Sequence, residues 1–168
     1  MTEMSQDSRT LAAERIEIQY ACRHSDCPAE EQIRHWLMPV MGLAPDDATL
    51  CIRLVDAEES RGLNHRYRGR DAATNVLSFP FEAPPGLALP ILGDLVICAE
   101  VLARECVEQH KTREAHWAHI VTHGVLHLLG HDHQDTSQAA RMEELECELL
   151  ARLGFADPYL EHETARPA

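Results

Sequence analysis

Apolar and polar residues alternate from 14 to 22, with Ile16, Ile18 and Tyr20 on one face, which is the two-residue period of a half-buried strand. The period then lengthens. Pro28 suits an early helical position, and Ile33, Trp36, Leu37, Val40 and Met41 recur at helical spacing as far as Gly42. A second strand is expected over 49–55, through the run Leu50-Cys51-Ile52-Arg53-Leu54-Val55. Asp56 with Glu59 three residues later has the spacing of a capping box and predicts a short helix through Asn64 to about Tyr67. Residues 75–79 read as a third strand bounded by Pro80, and the three prolines and one glycine within 82–90 predict a loop. Residues 92–99 form a fourth strand, buried on both faces because Leu95, Val96, Ile97 and Cys98 are apolar in succession. Three helices follow, over about 99–109, 113–129 and 135–153, the last stopping at Gly154.

Strands alternate with helices early and the last third is helical, so the expected fold class is α/β (α+β): a mixed sheet of about four strands covered by about five helices. The whole span 1–168 is expected to be one domain, with flexible ends at 1–12 and about 157–168. No apolar run approaches the roughly 18 residues that span a bilayer, and the polar start has no apolar signal region, so the expected home is the cytoplasm, with no membrane partner. Six cysteines without a C-x-x-C pair are expected to be free, reduced thiols. The formal charge of −13 argues against broad attraction to polyphosphate, so a nucleic-acid substrate must meet a local basic patch.

The candidate chemistry lies in His123-Gly124-Val125-Leu126-His127-Leu128-Leu129-Gly130-His131-Asp132-His133. In a chain with 11 histidines one pair four apart means little, but here His123 and His127 share a helix face, Gly130 allows a sharp exit, and His133 can fold back as a third ligand. His24, His35, His65, His110 and His162 are expected to be surface or locally bonded residues, and His116 and His119 helix residues that bind no metal. Three neutral imidazoles without a thiolate suit one zinc ion and leave a fourth position open, the mark of a catalytic site. Zinc lowers the pKa of bound water to about 7, which makes hydrolysis the first reaction class to consider. The metal helix should be the most buried, since Ala115, Ala118, Ile120, Val121, Val125, Leu126 and Leu129 leave it few polar positions besides histidine.

The ligand spacing is that of the metzincin proteases, H-E-x-x-H-x-x-G-x-x-H, but position 124 is Gly and the general base is missing. A second cluster, Leu63-Asn64-His65-Arg66-Tyr67-Arg68-Gly69-Arg70-Asp71, precedes Thr74-Asn75-Val76-Leu77-Ser78-Phe79-Pro80. With Gly93-Asp94-Leu95 and the H-G-x-L-H-L-x-G-x-D-H run, this order of motifs resembles the YbeY family of bacterial zinc-dependent endoribonucleases, from about 55 to 159. The resemblance implies single-stranded RNA as substrate, and a role in ribosomal RNA maturation, at the small-subunit 3′ end, and in ribosome quality control. Its partners would be the ribosome and ribosome-associated proteins, and DNA is not expected.

Carried over by position, the resemblance puts metal ligands on His123, His127 and His133 and the functionally important arginine on Arg68. A guanidinium is always charged and its fork matches phosphate oxygens. Arg66 and Arg70 are candidates for the rest of a basic patch. Position 131, commonly Tyr in that family, is His131 here, which adds an alternative ligand or proton carrier. Asp132 is a candidate for fixing the tautomer of a ligand imidazole, or for stabilising the turn, and Ser78 should line the cleft. Two other readings stand beside the nuclease: a zinc metalloprotease-like hydrolase, and a non-catalytic ribosome assembly factor whose zinc is structural.

Overall fold

The computed structural model describes residues 15–23 and 27–159. Its elements are β1 (Ile16–Ala21), α1 (Glu30–Met41), β2 (Thr49–Val55), α2 (Ala57–Arg68), β3 (Val76–Pro80), β4 (Ile91–Cys98), α3 (Ala99–Gln109), α4 (Arg113–Leu128) and α5 (Thr136–Arg152). The four strands form one mixed sheet in the order β1-β2-β4-β3. β1, β2 and β4 run parallel, and β3 pairs antiparallel with β4 at the edge. This is the expected architecture, with five helices on a four-stranded sheet.

Strand alternation divides the core in two. Leu50, Ile52 and Leu54 of β2, with Leu95 and Ile97 of β4, face Ile33 and Leu37 of α1 and Val121, Val125 and Leu126 of α4. Val96 and Cys98 point the other way, to Val55, Leu77 and Val101. β4 is therefore covered on two sides from Leu95 to Cys98, which is why that stretch reads as a continuous apolar run, while Cys51 and Arg53 on the second face of β2 stay part-exposed. Packed against α1, α5, β3 and β4, α4 is the most enclosed helix.

Two close approaches set the cleft. At Gly93 the backbone has φ +138°, and a Cβ would fall 2.2 Å from the carbonyl oxygen of Phe79, so only glycine lets β3 and β4 meet there. At Gly124 a Cβ would lie 2.9 Å from a methyl of the fully buried Leu95, so the missing side chain is what lets α4 sit down on β3 and β4.

Two local expectations are corrected. Asp56 does stand at the start of α2, but no capping box forms. Its Oδ1 accepts from the Arg23 backbone N–H at 2.9 Å, and Glu59 receives the Arg53 guanidinium at 2.7 and 2.9 Å. The Arg53 hydrogen bonds hold the Glu59 carboxyl below its ordinary range. Cys22 and Cys27 are paired where six free thiols were expected, and beside them the Tyr20 hydroxyl donates to Pro28 O at 2.6 Å. Cys51, Cys98, Cys106 and Cys147 are free. Among the described residues no helix is long and apolar enough to cross a membrane. The expected flexible ends lie outside the described residues except for 157–159, and there Tyr159 is docked by its hydroxyl on Glu146.

Candidate active site

Thr112 opens α4, its hydroxyl accepting from the Ala115 N–H at 3.2 Å. The helix then presents His119, His123 and His127 at intervals of four, one stripe on one face. It stops as expected at Gly130, whose φ of +97° a residue with a Cβ rarely adopts. The Gly130 N–H donates to His127 O and the His131 N–H to Leu126 O, both at 3.0 Å, closing a Schellman turn. That turn folds His131, Asp132 and His133 back beside the stripe.

A cleft of about 620 Å³ runs between this stripe and the edge strand β3. His123, His127 and His133 line one side, with His131 and Asp132, while Arg68 and Ser78 line the other. Ser78 also ties the walls together, its hydroxyl donating to Gly124 O at 3.4 Å. Arg68 ends α2, where Gly69 turns the chain out with φ +71°. The loop after it is lashed back onto α2: Asn64 Nδ2 donates to Ala72 O at 2.7 Å, and the Ser60 hydroxyl bridges Thr74 N–H and Thr74 O at 3.0 Å each. Arg61 adds a two-pronged ion pair to Asp71 at 2.7 and 2.9 Å. Arg66 and Arg70 are exposed and do not line the cleft, so of the three arginines it is Arg68 that faces the histidines.

The fit of a metal ion is decided by the two ends of one ring. His123 Nδ1 lies 2.5 Å from Glu146 Oε1, and its Nε2 lies 3.0 Å from His127 Nε2. Two nitrogens held 2.0–2.1 Å from one tetrahedral zinc ion stand about 3.3 Å apart. The ring centroids of His123, His127 and His133 are separated by 4.6, 5.0 and 5.9 Å. Rings around one such ion stand roughly 5 Å apart. Burial and then the neighbouring His123 and His133 push the His127 pKa down, which favours the neutral ring a metal needs. The donors fall into two adjoining metal-capable groups, His119 with His123 and Glu146, and His127 with Asp132 and His133. All-nitrogen and carboxylate donors of this kind suit zinc and related divalent ions.

A family model described as Endoribonuclease YbeY matches residues 18–154. The chain belongs to the endoribonuclease YbeY family. Membership makes it a nuclease of the ribosomal RNA-processing kind, with RNA as its substrate. The fold is also that of a solved relative, the solution structure of TM1509 from Thermotoga maritima, at 22% identity and a TM-score of 0.55. That match covers 82% of this chain and 91% of the Thermotoga chain.

Against this YbeY frame, the residues that sequence reasoning passed over are Glu146, Tyr159 and His119. Glu146 is fully buried. Its carboxylate accepts from His119 Nε2 at 2.8 Å and from the Tyr159 hydroxyl at 2.5 Å, as well as meeting His123. Burial alone would raise its pKa, but the hydrogen bonds from His119, His123 and Tyr159 outweigh that and hold it at about 2. Burial and then the bond to Glu146 push the Tyr159 hydroxyl up. His119, expected to be an ordinary helix residue, is thus part of the site. Asp132 accepts from the His133 backbone N–H at 2.7 Å, with its Oδ1 3.7 Å from His133 Nδ1, so the turn-stabilising alternative is the one its contacts follow. The signal for Glu146 was in the sequence: one acid on the α5 face otherwise made by Met142, Leu149 and Leu150.

Proposed function

We propose that this YbeY-family chain is a zinc-dependent, single-strand-specific endoribonuclease of the cytoplasm, acting as one domain in maturation of the small-subunit rRNA 3′ end and in ribosome quality control. The observation that carries the reading is a single cleft with Arg68 on one wall and the His123–His127 nitrogen pair on the other. His123, His127 and His133 would hold the ion. Bound there, zinc supplies Lewis acidity and acidifies water at neutral pH.

The chain's own residues do the rest. Arg68 grips the non-bridging oxygens of a phosphodiester and offsets the extra negative charge of the transition state. The lashed loop behind it holds the end of α2 that carries Arg68. Hydrolysis forms one P–O bond to the oxygen of water, which gives up a proton, and breaks one to the leaving oxygen, which takes up a proton. His131, which lines the cleft, would carry that proton. An extended single strand can enter between β3 and α4, and Arg68 supplies the local positive charge that a chain of net charge −13 otherwise lacks there.

The test is cleavage of ribosome-bound precursor RNA by zinc-loaded wild type, His127→Ala and Arg68→Ala, with metal content measured on each. The account expects His127→Ala to lose zinc and cutting, and Arg68→Ala to keep zinc and lose cutting. Equal behaviour of all three would remove the nuclease reading and favour an assembly factor. The protease reading loses its support at Gly124, where Leu95 occupies the space a general base would need. Casein left intact by zinc-loaded protein is the matching outcome.

A further inference from the structure

Glu146 poses a problem that the cleft alone does not answer. An acid with no exposed surface sits on the apolar face of α5, where leucine or methionine would cost nothing in desolvation. Burying a carboxylate is costly unless its oxygens are hydrogen-bonded. They are used here, by three donors from two separate parts of the chain: His119 and His123 on α4, and Tyr159 after the end of α5. The turn at Gly154, with the Phe155 N–H on Leu150 O at 3.0 Å, is what brings Tyr159 back over the site.

We propose that Glu146 is the positioning residue of the metal centre: it fixes His123 in the Nδ1–H tautomer from outside the coordination sphere, and Tyr159 and His119 hold it there. The inference rests on the proposed His123–His127–His133 centre. Imidazole has one donor and one acceptor when neutral, so a carboxylate on Nδ1 leaves the lone pair on Nε2, the nitrogen that meets His127. A carboxylate behind a ligand histidine also raises its basicity and stops the ring from turning.

Glu146 is not itself a ligand in this arrangement. Its oxygens lie at the Nδ1 end of the ring, away from His127, and accept three donors. His119 is not a ligand either. Its Nδ1 is buried without a hydrogen-bond partner, so Nε2 is its working end, and that end is committed to Glu146. The C-terminal segment as far as Tyr159 thereby becomes part of the metal site although it donates no ligand.

The experiment measures zinc affinity of the full chain by competition with a chromophoric chelator, for wild type, Glu146→Gln and Tyr159→Phe. It is paired with the melting temperature of each metal-free protein and with ring-nitrogen NMR of His123. Glu146→Gln should weaken zinc binding about 10–100-fold and turn His123 from one tautomer into a mixture. Tyr159→Phe, which keeps the carboxylate, should weaken zinc by a smaller factor while the tautomer persists. Cobalt-substituted wild type and Glu146→Gln should share one visible spectrum. Unchanged zinc affinity in a folded Glu146→Gln protein would overturn the proposal, as would a cobalt spectrum that reports a lost oxygen ligand. Should Glu146→Gln fail to fold, an unchanged affinity in Tyr159→Phe would overturn it instead. Wild type that binds no zinc would remove the centre itself, whereas zinc-binding wild type with indifferent variants would remove this inference alone.

Discussion

Replacing Gly130 by alanine adds one methyl group at the turn that carries His133, and the structure separates its cost into parts. Nothing lies within 4 Å of the added Cβ, so no steric penalty arises. What remains is the backbone, because φ is +97° and a left-handed conformation costs an L-residue roughly 1–2 kcal/mol. For a chain of this size each kcal/mol corresponds to about 2–4 °C, so the metal-free protein should melt about 2–8 °C lower. The turn can shed the strain by opening, but that gives up the Gly130–His127 and His131–Leu126 bonds and releases 131–133 from the stripe. Zinc affinity should therefore fall as well, because the third ligand must be re-ordered on binding. Gly130→Asn should fall less on both measures, since asparagine tolerates the left-handed region better. Calorimetry with and without zinc, followed by chelator competition, reads both quantities. Wild-type melting and wild-type zinc affinity in Gly130→Ala would refute the claim that this glycine shapes the site.

Gly124→Glu, which restores the acid of a metzincin motif, should destabilise by about 3 kcal/mol or more, since it drives a carboxylate into Leu95 and Val76; denaturant melts check the loss, and a stable variant that cuts casein would contradict the packing argument. Asn64→Leu removes the donor to Ala72 O and should slow RNA cleavage with zinc affinity unchanged, because only the Arg68 wall loosens; equal loss of zinc would show that the two walls are not separate. Glu146 also gives a pH signature: its folded pKa is held at about 2, below the ordinary value, so its contribution to stability is complete above the unfolded pKa and is lost as pH falls toward 2. Urea midpoints of metal-free protein should thus drop between about pH 4.5 and 2, and Glu146→Gln should flatten that segment.

The parts of the site written close together in sequence were the readable ones. His123, His127, Gly130 and His133 lie within one helix end and its turn, where periodicity and glycine chemistry act locally, and α4 ends where those rules place it. Glu146 lies 23 residues from His123, and Tyr159 lies 40 from His119, so no local rule joins them. A lone acid in an apolar stripe was the available clue, and it needed a partner that only folding supplies. Asp56 and Glu59 show the reverse: correct spacing for a capping box, overridden because Arg23 and Arg53 reach those carboxylates through tertiary contacts. Arg66 sits two residues from Arg68 on the same helix, which turns it to another side, a consequence of helical geometry that grouping by sequence proximity missed. The strand order β1-β2-β4-β3 was not legible at all, because pairing partners are set by long-range packing.

The most direct test of the central claim is a zinc titration of metal-free protein, read as the rate of cutting a single-stranded RNA presented on its ribosomal particle. The account predicts that the rate rises in proportion to zinc, levels off at one ion per chain, and stays at background throughout for His127→Ala. Cutting by the metal-free protein at the loaded rate, or equal rates from His127→Ala, would contradict it.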